Sequence, residues 1–319
     1  MTAREYPVFT VTPKAERSLR AGHPWVYGEE VTAVEGAYQN GDMVDVVSNK
    51  GRYLGTGWVN DHSKIRVRII SRNANDTFDE AFFRRRVCYA LNYRKTVMGP
   101  VDYRCCRLIF GEADQFPGLT VDRFENILVT QVLSLGMERR KDWVYRALVE
   151  LLREDGEQID AIYERNDVTI RTLEGLEQGK GFYQMEGLRT DLSGHVTITE
   201  NGIKYDVDYI EGQKTGFFLD QKYNRQAAAK LARGRRVLDC FTHTGAFALN
   251  AAAAGAEHVT AVDVSAFALE LAAENGKRNG LTNLDYKCAD VFDLLTEMAK
   301  EKKCDYDYII LDPPAFTKS

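Results

Sequence analysis

The sequence predicts a multidomain protein with a small β-barrel, a central α+β domain and a Rossmann-like α/β domain. Residues 1–72 contain short β-branched or alternating segments separated by Gly, Asn and Asp turns, as in a small barrel. Residues 73–190 mix helical and strand patterns, whereas residues 191–319 alternate strand, turn and helix. A chain of 319 residues with 44% hydrophobic residues can form two or three such cores.

Three strands are predicted in the first domain, at Met43–Val47, Tyr53–Val59 and Ile65–Ile70. The third lies in the run KIRVRII, where side chains alternate between the two faces of the strand. One face carries the apolar residues Ile65, Val67 and Ile69. The other carries the predicted RNA contacts Lys64, Arg66 and Arg68. The alternative is an ordinary solvated strand face.

The charge distribution is compatible with an RNA partner at the N-terminal end. A net charge of −5 by itself argues against nucleic-acid binding. However, residues 1–100 carry 15 basic and 11 acidic side chains, whereas the remainder carries 27 and 36. A basic region beside an acidic one allows RNA to dock through one part of the surface.

The second domain begins with a helix predicted from Asn75 to Thr96, because apolar residues recur there at helical spacing after Asp79. Its basic block Arg84–Arg86 is interpreted as solvated surface, with phosphate contact as the alternative. Three strands follow from residue 105, connected through a Pro117-Gly118 turn and a tight connection at Glu125-Asn126. The remaining elements are a helix at Met137–Arg153 and strands at Ile159–Glu164 and Val168–Arg171.

The third domain opens with an Asn-Gly hairpin at residues 201–202 and a helix predicted at Gln226–Leu231. Between them lies Gln213–Gln221, which is too rich in polar groups for a plain linker. Because it precedes the next strand and turn closely, we expect it to form a flap over a bound cofactor.

The stretch Val237–Ala248, read VLDCFTHTGAFA, predicts a strand, a turn and an Ala-rich helix at Ala246–Ala254. This unit directs backbone N–H groups toward a ligand at the carboxyl end of a parallel strand. Its turn contains a single glycine, Gly245, whereas pyrophosphate-binding motifs require several. Dinucleotides and nucleoside triphosphates are therefore not the expected ligands.

Acidic residues follow four successive predicted strands, at Asp239, Asp263, Asp290 and Asp312. Carboxylates at adjacent strand ends suit a cationic ligand with a ribose diol, because they accept hydroxyl hydrogen bonds and balance positive charge. S-adenosylmethionine has a sulfonium, an ammonium and two ribose hydroxyls. The sequence therefore predicts S-adenosylmethionine as cofactor. A merely structural α/β turn is the alternative for any single acid-ended strand.

The last strand is followed by LDPPAF, in which Pro313 and Pro314 hold an extended, rigid turn. Such a turn presents the carboxylate of Asp312 and the ring of Phe316 at the edge of the sheet. These groups can hydrogen-bond and stack a nucleobase that has left its helix. A simple loop stiffener is the alternative.

Cysteine usage and the N-terminus predict a cytoplasmic protein. The six cysteines form no C-x-x-C pair, so they are expected to be reduced and mostly buried, and no metal site is predicted. The N-terminus has no apolar signal region, and no run approaches the roughly 18 apolar residues of a membrane span. A membrane partner is therefore not expected.

Seven motifs in order resemble the RlmI-type family of large-subunit ribosomal RNA cytosine-5 methyltransferases: GHPWVY, GEADQFPGLTVDRF, YERND, GQKTGFFLDQKYNR, DCFTHTGAFA, VDVS and LDPPAF. The resemblance covers essentially the whole chain. It implies a PUA domain at residues 1–72, a central domain at 73–190 and a class I methyltransferase domain at 191–319. It also implies ribosomal RNA as partner and leaves a homodimer open.

The resemblance assigns site residues by position. Those matching the flap over S-adenosylmethionine are Lys214, Thr215, Gly216, Phe217, Asp220 and Gln221. Those matching the methionine-side turn are Asp239, Phe241, Thr244 and Gly245. Asp263 matches the ribose acid and Asp290 the adenine-side acid. The target-base motif is Asp312, Pro313, Pro314 and Phe316.

The chain departs from the family in its last part. A class I methyltransferase sheet has seven strands, and only four are predicted from Val237 onward. Family members continue past this point with a Ser-Cys-Ser-type motif that supplies the nucleophile. We therefore expect a truncated chain whose nucleophile lies after Ser319, inactive toward cytosine carbon 5. Purine N-methylation of ribosomal RNA and a non-catalytic RNA-binding assembly factor are the alternatives.

Overall fold

The computed structural model describes residues 5–302 and 304–314, and the chain divides into two compact units. Unit 1 comprises Met1–Gly194 and Tyr209–Thr215, and unit 2 comprises His195–Asp208 and Gly216–Ser319. The first two predicted domains both fall within unit 1. The reason is a shared core, because Met43, Trp58 and Ile70 pack into the same apolar cluster as the central helices and strands.

The N-terminal part of unit 1 is a six-stranded sheet with strand order β2-β6-β5-β4-β1-β3. A separate apolar core that includes Phe9, Leu19 and Val67 lies within it. The three predicted strands are confirmed, two of them one residue longer than expected. The elements are β1 (Val8–Val11), α1 (Pro13–Arg20), β2 (Trp25–Tyr27), β3 (Val31–Glu35), β4 (Met43–Ser48), β5 (Tyr53–Val59) and β6 (Ile65–Ser71).

The central part of unit 1 is a five-stranded sheet with strand order β11-β10-β9-β8-β7 and helices packed against it. Strands β9 and β10 are parallel, joined by a helical crossover, and the other neighbours are antiparallel. The elements are α2 (Glu80–Val97), α3 (Pro100–Tyr103), β7 (Cys105–Phe110), β8 (Leu119–Phe124), β9 (Ile127–Val132), α4 (Leu135–Glu138), α5 (Lys141–Glu154), β10 (Ala161–Asn166) and β11 (Gly179–Phe182).

Two helix boundaries in unit 1 differ from the prediction. Helix α2 begins at Glu80 and not at Asn75, because the Asp79 side chain accepts from the N–H of Phe82 and caps the first turn. The helix predicted at Met137–Arg153 is two helices. Before the break, Gly136 lies so close to Trp58 that an added Cβ would be 1.9 Å from the indole, and the Arg140 guanidinium donates back to the carbonyl of Gly136.

The strand predicted at Val168–Arg171 is wrong. This segment enters a 3₁₀ turn at Thr169–Glu174, and the edge of the sheet is β11 instead. The buried Arg171 side chain gives the physical reason. It donates to the carbonyls of Val132 and Glu177 and pairs with Glu138, contacts that hold the segment off the sheet.

Unit 2 contains an antiparallel hairpin and a parallel four-stranded sheet with strand order β16-β15-β14-β17. The predicted Asn-Gly hairpin is confirmed, with φ of 53° at Asn201 and 81° at Gly202. The elements are β12 (His195–Glu200), β13 (Ile203–Asp208), α6 (Lys222–Lys230), β14 (Arg236–Cys240), α7 (Ala246–Ala253), β15 (His258–Asp263), α8 (Ala266–Arg278), β16 (Leu284–Cys288), α9 (Val291–Glu301) and β17 (Tyr308–Leu311).

Helix α7 owes its place in unit 2 to small side chains. Ala248, Ala251 and Ala252 are buried against Val237 and Val259 of the central strands, where larger residues would hold the helix away from the sheet. Helix α6 begins at Lys222, four residues before its predicted start. The sheet and α7 together form the frame that positions the strand ends.

The cysteine prediction is confirmed in part. Every cysteine is a free thiol, but only Cys105, Cys106 and Cys240 are buried, while Cys288 and Cys304 are exposed because they lie at the surface of unit 2. Within residues 5–302 and 304–314, no helix is both long and apolar enough to cross a membrane.

Candidate functional site

The strand register brings the acidic strand ends together at one edge of the unit 2 sheet. Cys240 of β14 pairs with Val262 of β15 and with Leu311 of β17. The residues that follow these three, Phe241, Asp263 and Asp312, therefore stand at the same level at the carboxyl edge. This edge of a parallel sheet is where α/β folds bind their ligands.

Asp239 lies one step inside that edge and is almost completely buried, at 1% exposure. One of its carboxylate oxygens accepts from the Thr242 hydroxyl at 2.5 Å and from the N–H of Ala248 in α7 at 3.0 Å. Burial raises the pKa of Asp239 to about 7, against the lowering effect of these hydrogen bonds, and the nearby charges of Asp312 and Asp263 raise it further. The carboxyl group thus titrates near neutral pH.

The turn between β14 and α7 is held in an uncommon backbone conformation. Phe241, His243 and Gly245 have φ of 60°, 52° and 81°. Positive φ is rare outside glycine and costs free energy, so it marks a position that the surrounding contacts must enforce. Thr244 is half-buried within the turn.

Gly245 is required for packing as well as for conformation. A Cβ added there would lie 2.9 Å from the Cβ of Ala272 in α8. The glycine therefore lets the first turn of α7 approach α8 closely. The sequence interpretation gave this glycine a ligand-facing role, and the structure adds a helix-packing one.

Asp263 ends β15 and organises two neighbouring backbones. One carboxylate oxygen accepts from the N–H of His243 and the other from the N–H of Ser265, both at 2.9 Å. The side chain thereby links the β14 turn to the start of α8. Burial lowers the pKa of the His243 imidazole, with the charge of Asp263 opposing this shift. The predicted ribose contact of Asp263 remains a proposal.

Asp290 follows β16 and caps α9, with one oxygen accepting from the N–H groups of Phe292 and Asp293. The ring of Phe292 is 57% exposed and its centroid lies 5.9 Å from that of Phe241. An apolar surface thus borders the acidic edge on the Asp290 side. The adenine-side role of Asp290 remains a proposal.

Asp312 and the two prolines after it are exposed directly beyond β17. The carboxylate is close enough to Asp239 to raise the pKa of that buried acid. The predicted stacking residue Phe316 lies outside the residues that the structure describes.

The predicted flap is divided by the boundary between the two units, which falls between Thr215 and Gly216. In unit 1, the buried Thr215 hydroxyl donates to Asp122 at 2.6 Å. In unit 2, the Phe217 ring is 5% exposed and contacts Tyr205, with the Arg225 guanidinium 4.8 Å from its centroid. Both side chains are engaged in contacts within their own units.

The other flap residues are more accessible. Lys214 and Asp220 are exposed, and Gln221 is half-buried with its side-chain oxygen accepting from Asn224. Their cofactor-binding role, and that of Gly216, remains a proposal.

The cationic face of β6 differs from the prediction at one position. Val67 and Ile69 are buried and Lys64 is exposed, as period-2 alternation requires. Arg68, however, is only 11% exposed and pairs with Glu112 and Glu174. Arg66 pairs with Asp61. Arg68 is therefore a neutralised structural residue of unit 1, whereas the exposed Lys64 and the ion-paired but more exposed Arg66 stay predicted RNA contacts.

Each unit contains a buried ionic cluster that the sequence analysis did not anticipate. In unit 1, Asp122 is fully buried and accepts from Arg107 as well as from Thr215. In unit 2, Glu200 and Arg225 form a bidentate pair, at 0% and 2% side-chain exposure, and Arg225 also donates to the carbonyl of Phe218. The only available signal was the presence of charged residues inside otherwise apolar strands and helices.

Comparisons with known proteins agree with this architecture. Residues 9–72 match the model of a PUA-like domain, and residues 183–319 match that of an S-adenosylmethionine-dependent methyltransferase. The fold and site thus define an S-adenosylmethionine-dependent methyltransferase with an N-terminal PUA-like domain. The predicted enzyme class, cofactor and fold are confirmed.

Two curated relatives identify the family. Ribosomal RNA large subunit methyltransferase I of Photobacterium profundum is 42% identical over 307 residues, which span 95% of this chain and 75% of the relative. The enzyme of the same name from Shewanella denitrificans is 42% identical over 308 residues, again 95% and 75%. The chain belongs to the ribosomal RNA large subunit methyltransferase I family.

Two solved structures share the fold. A putative S-adenosylmethionine-dependent methyltransferase from Streptococcus mutans has a TM-score of 0.78 at 24% identity, covering 96% of this chain and 77% of that one. A putative methyltransferase complexed with SAH has a TM-score of 0.80 at 24% identity, covering 98% and 77%. At this identity the likeness establishes the fold.

The acidic edge fits the positive charge of the cofactor. Within the part of the chain that the structure describes, no lysine, arginine or histidine forms an ion pair with the four strand-end acids Asp239, Asp263, Asp290 and Asp312. An acidic cluster without an internal counter-charge favours a bound cation. The sulfonium and ammonium of S-adenosylmethionine supply that charge.

Proposed function

We propose that this chain holds S-adenosylmethionine and a cytosine of large-subunit ribosomal RNA for methyl transfer to carbon 5 of the base, in the cytoplasm. The observation that carries the proposal is the acidic sheet edge, where Asp263 and Asp312 stand level at the ends of the two strands that flank β14 and its buried Asp239. The names of the curated relatives, which specify large-subunit ribosomal RNA, support the substrate class.

Three carboxylates at this edge have separate roles. The bound cofactor supplies an electrophilic methyl group on a cationic sulfur. Asp239, ionised, balances that positive charge, and Asp263 accepts from the ribose hydroxyls. Asp312, held by Pro313 and Pro314, accepts a hydrogen bond from the exocyclic amino group of the target base and orients the ring.

Methylation at carbon 5 requires a thiolate that adds to carbon 6 of the ring. Cys240 is a poor nucleophile although it lies on β14 beside the cofactor turn. Its side chain is fully buried, and burial raises the pKa of its thiol to about 11. The thiolate form that would attack is therefore scarce at neutral pH. We assign Cys240 a packing role.

Transfer to a purine nitrogen of ribosomal RNA is the second candidate. The same property of Cys240 favours it, because nitrogen acceptors need no covalent thiolate step. An Asp-Pro-Pro turn can accept from the amino group of a purine as readily as from that of cytosine. The product of the reaction distinguishes the two candidates.

The test is tritium transfer from S-adenosylmethionine to unmodified large-subunit ribosomal RNA, followed by nucleoside analysis. 5-Methylcytidine would support transfer to carbon 5, and an N-methylated purine would establish the second candidate. We expect no covalent adduct between this chain and RNA containing 5-fluorocytosine, because the buried Cys240 thiol does not attack the ring. An adduct that forms with wild type and is lost in Cys240→Ser would overturn the packing role of Cys240.

A substitution pair tests Asp312. Asp312→Asn should lower the transfer rate while cofactor affinity stays close to wild type, because the carboxylate acts on the base. Asp305→Asn, an exposed acid seven positions earlier, is the matched control and should leave the rate unchanged. Equal rates for both variants would contradict the assigned role.

A further inference from the structure

A cavity of about 440 Å³ is lined by residues of unit 1, whereas the acidic edge belongs to unit 2. Helix α2 forms one wall with Arg85, Arg86 and Tyr89. The loop after β6, including Asn73 and Asp76, forms a second, and the 3₁₀ turn Gly111–Asp114 forms a third. Two sequence features that the methyltransferase site does not use, the arginine block and the GEADQ segment, thus line one space.

The two acidic residues of the cavity are already engaged. The Asp114 carboxylate accepts hydrogen bonds from both terminal guanidinium nitrogens of Arg94, each at 2.6 Å, and from the N–H of Phe110. The other acid, Asp76, accepts from the Ser71 hydroxyl at 2.6 Å and from the Asn73 amide. Arg94 compensates the charge of Asp114, whereas Asp76 has neutral donors and the distant Arg85 as partners, so a bound phosphate competes with Asp76 for Arg85.

The three arginines of the block face different surroundings. Arg84 does not line the cavity, and its side chain pairs with Glu150 and Glu154. Arg85 is 45% exposed and only 3.4 Å from Asp76, a long and weak pair. Arg86 donates to the carbonyl of Ile70 and lies over the Phe82 ring at 4.8 Å.

The Arg86 guanidinium is charged and partly withdrawn from water. Burial lowers its pKa, which means that its positive charge is incompletely solvated, and an anion beside it would restore the lost stabilisation. Arg85 and Arg86 are adjacent on α2 and both line the cavity. A phosphate placed between them gains two charge-assisted hydrogen-bond donors.

Tyr89 provides a different kind of surface at the same place. It is 60% exposed and lies one helical turn after Arg85, so both occupy the same face of α2. A large exposed aromatic ring next to arginines is the combination that proteins use to stack an unpaired base beside its phosphate.

We propose that this cavity binds one unpaired nucleotide of the RNA substrate, with its phosphate between Arg85 and Arg86 and its base stacked on Tyr89. The inference rests on the proposed RNA substrate and adds a second contact on unit 1. The cavity volume lies in the roughly 300–1,000 Å³ range of single-ligand pockets, which admits one nucleotide but no duplex. Single-stranded RNA is therefore the specified ligand.

The test compares two double variants of the full chain. Arg85→Gln with Tyr89→Ala removes the cavity contacts, and Arg84→Gln with Tyr93→Ala is the control. The control makes the same chemical changes on the same helix, and Tyr93 is 59% exposed but does not line the cavity. Binding is measured by fluorescence anisotropy with a labelled single-stranded RNA of ribosomal sequence and with the corresponding blunt duplex.

We expect the cavity variant to bind the single strand on the order of ten-fold more weakly than the control variant, with a small effect on the duplex. The slope of log affinity against log salt should fall by about 0.7 in the cavity variant, as expected for one lost phosphate contact on a single strand. Equal losses in both variants, or equal losses for single strand and duplex, would overturn the proposal.

A crosslinking measurement keeps the test independent of variant folding. RNA carrying 4-thiouridine should crosslink to the Tyr89 segment of wild-type chain after long-wavelength irradiation. Crosslinks only elsewhere would overturn the inference while leaving the proposed function intact. Conversely, crosslinks at Tyr89 without methyl transfer to RNA would contradict the proposed function alone.

Discussion

Asp239 is a buried acid whose ionisation links stability to ligand binding. Its pKa is about 7 in the folded chain and near 3.8 when solvated. Between about pH 4 and pH 7 the folded state therefore binds more protons than the unfolded state, so this residue's contribution to stability falls as pH rises. The positive charge of a bound cofactor beside the ionised carboxylate would offset this loss of stability.

We predict that cofactor affinity depends on the ionisation of Asp239. With a pKa of about 7, the ionised fraction rises from about one tenth at pH 6 to about nine tenths at pH 8. Calorimetric titration with S-adenosylmethionine should show up to about ten-fold tighter binding at pH 8 than at pH 6. Asp239→Asn is the control. Its side-chain oxygen can still accept from the N–H of Ala248, but it does not ionise, so any remaining pH dependence of binding comes from other groups. Identical pH profiles for the two proteins would disprove the linkage.

Asp263 is the residue proposed to accept from the ribose hydroxyls. Asp263→Ala should weaken S-adenosylhomocysteine binding by roughly 1.5–3 kcal/mol, the range for hydrogen bonds that involve a charged group. The control is Asp285→Ala, which removes an exposed carboxylate paired with His258 on the neighbouring strands. An unchanged calorimetric affinity in Asp263→Ala, or an equal loss of affinity in the control variant, would contradict the role of Asp263 as the ribose acceptor.

At the level of elements, the β14–α7 connection depends on Gly245. Its φ of 81° disfavours any side chain, and an added Cβ would also meet Ala272 at 2.9 Å. Two separate costs, conformational and steric, therefore fall on one position.

We predict that Gly245→Ala lowers the free energy of unfolding by about 1 kcal/mol or more beyond the effect of Gly234→Ala. Gly234 has a φ of 68° with open space around it, so its substitution measures the conformational cost alone. Urea unfolding followed by circular dichroism makes the comparison. If the two variants have the same midpoint and slope, close packing of α7 on α8 is not important for stability.

At the scale of the whole molecule, the exposed cations of the N-terminal sheet are the predicted attachment point for RNA. Arg68 is neutralised by Glu112 and Glu174, so the predicted cationic face is reduced to Lys64 and Arg66. Exposed cations attract RNA by releasing its counterions, which makes binding salt-dependent.

We predict that Lys64→Glu combined with Arg66→Glu weakens binding to large-subunit ribosomal RNA and flattens its salt dependence. Lys50→Glu with Arg52→Glu makes the same charge change at exposed positions between β4 and β5 of the same sheet. Filter binding over a salt series compares the two. A salt slope equal to that of wild type in the first variant would count against RNA docking at this face.

Local patterns in the sequence determined the fold class, the parallel strands with their acidic ends and the hairpin at Asn201-Gly202. Alternation, helical spacing and turn chemistry depend on residues close together in the chain, so they can be recognised without knowing the fold. Cofactor and enzyme class followed from the resemblance together with the acids at Asp239 and Asp263. Several boundaries shifted, as at α2, where the cap formed by Asp79 decided the first turn, and the strand predicted at Val168–Arg171 is a 3₁₀ turn instead.

Tertiary structure alone decided which charged side chains remain available to a ligand. Arg68 meets Glu112 and Glu174 across 44 and 106 positions of sequence, and Thr215 meets Asp122 across 93. It also decided that Asp239 titrates near neutral pH, because burial and the neighbouring acids arise only when β14, β15 and β17 lie side by side. Such pairings depend on how distant segments pack, and no local sequence pattern records which partner a buried charge will meet.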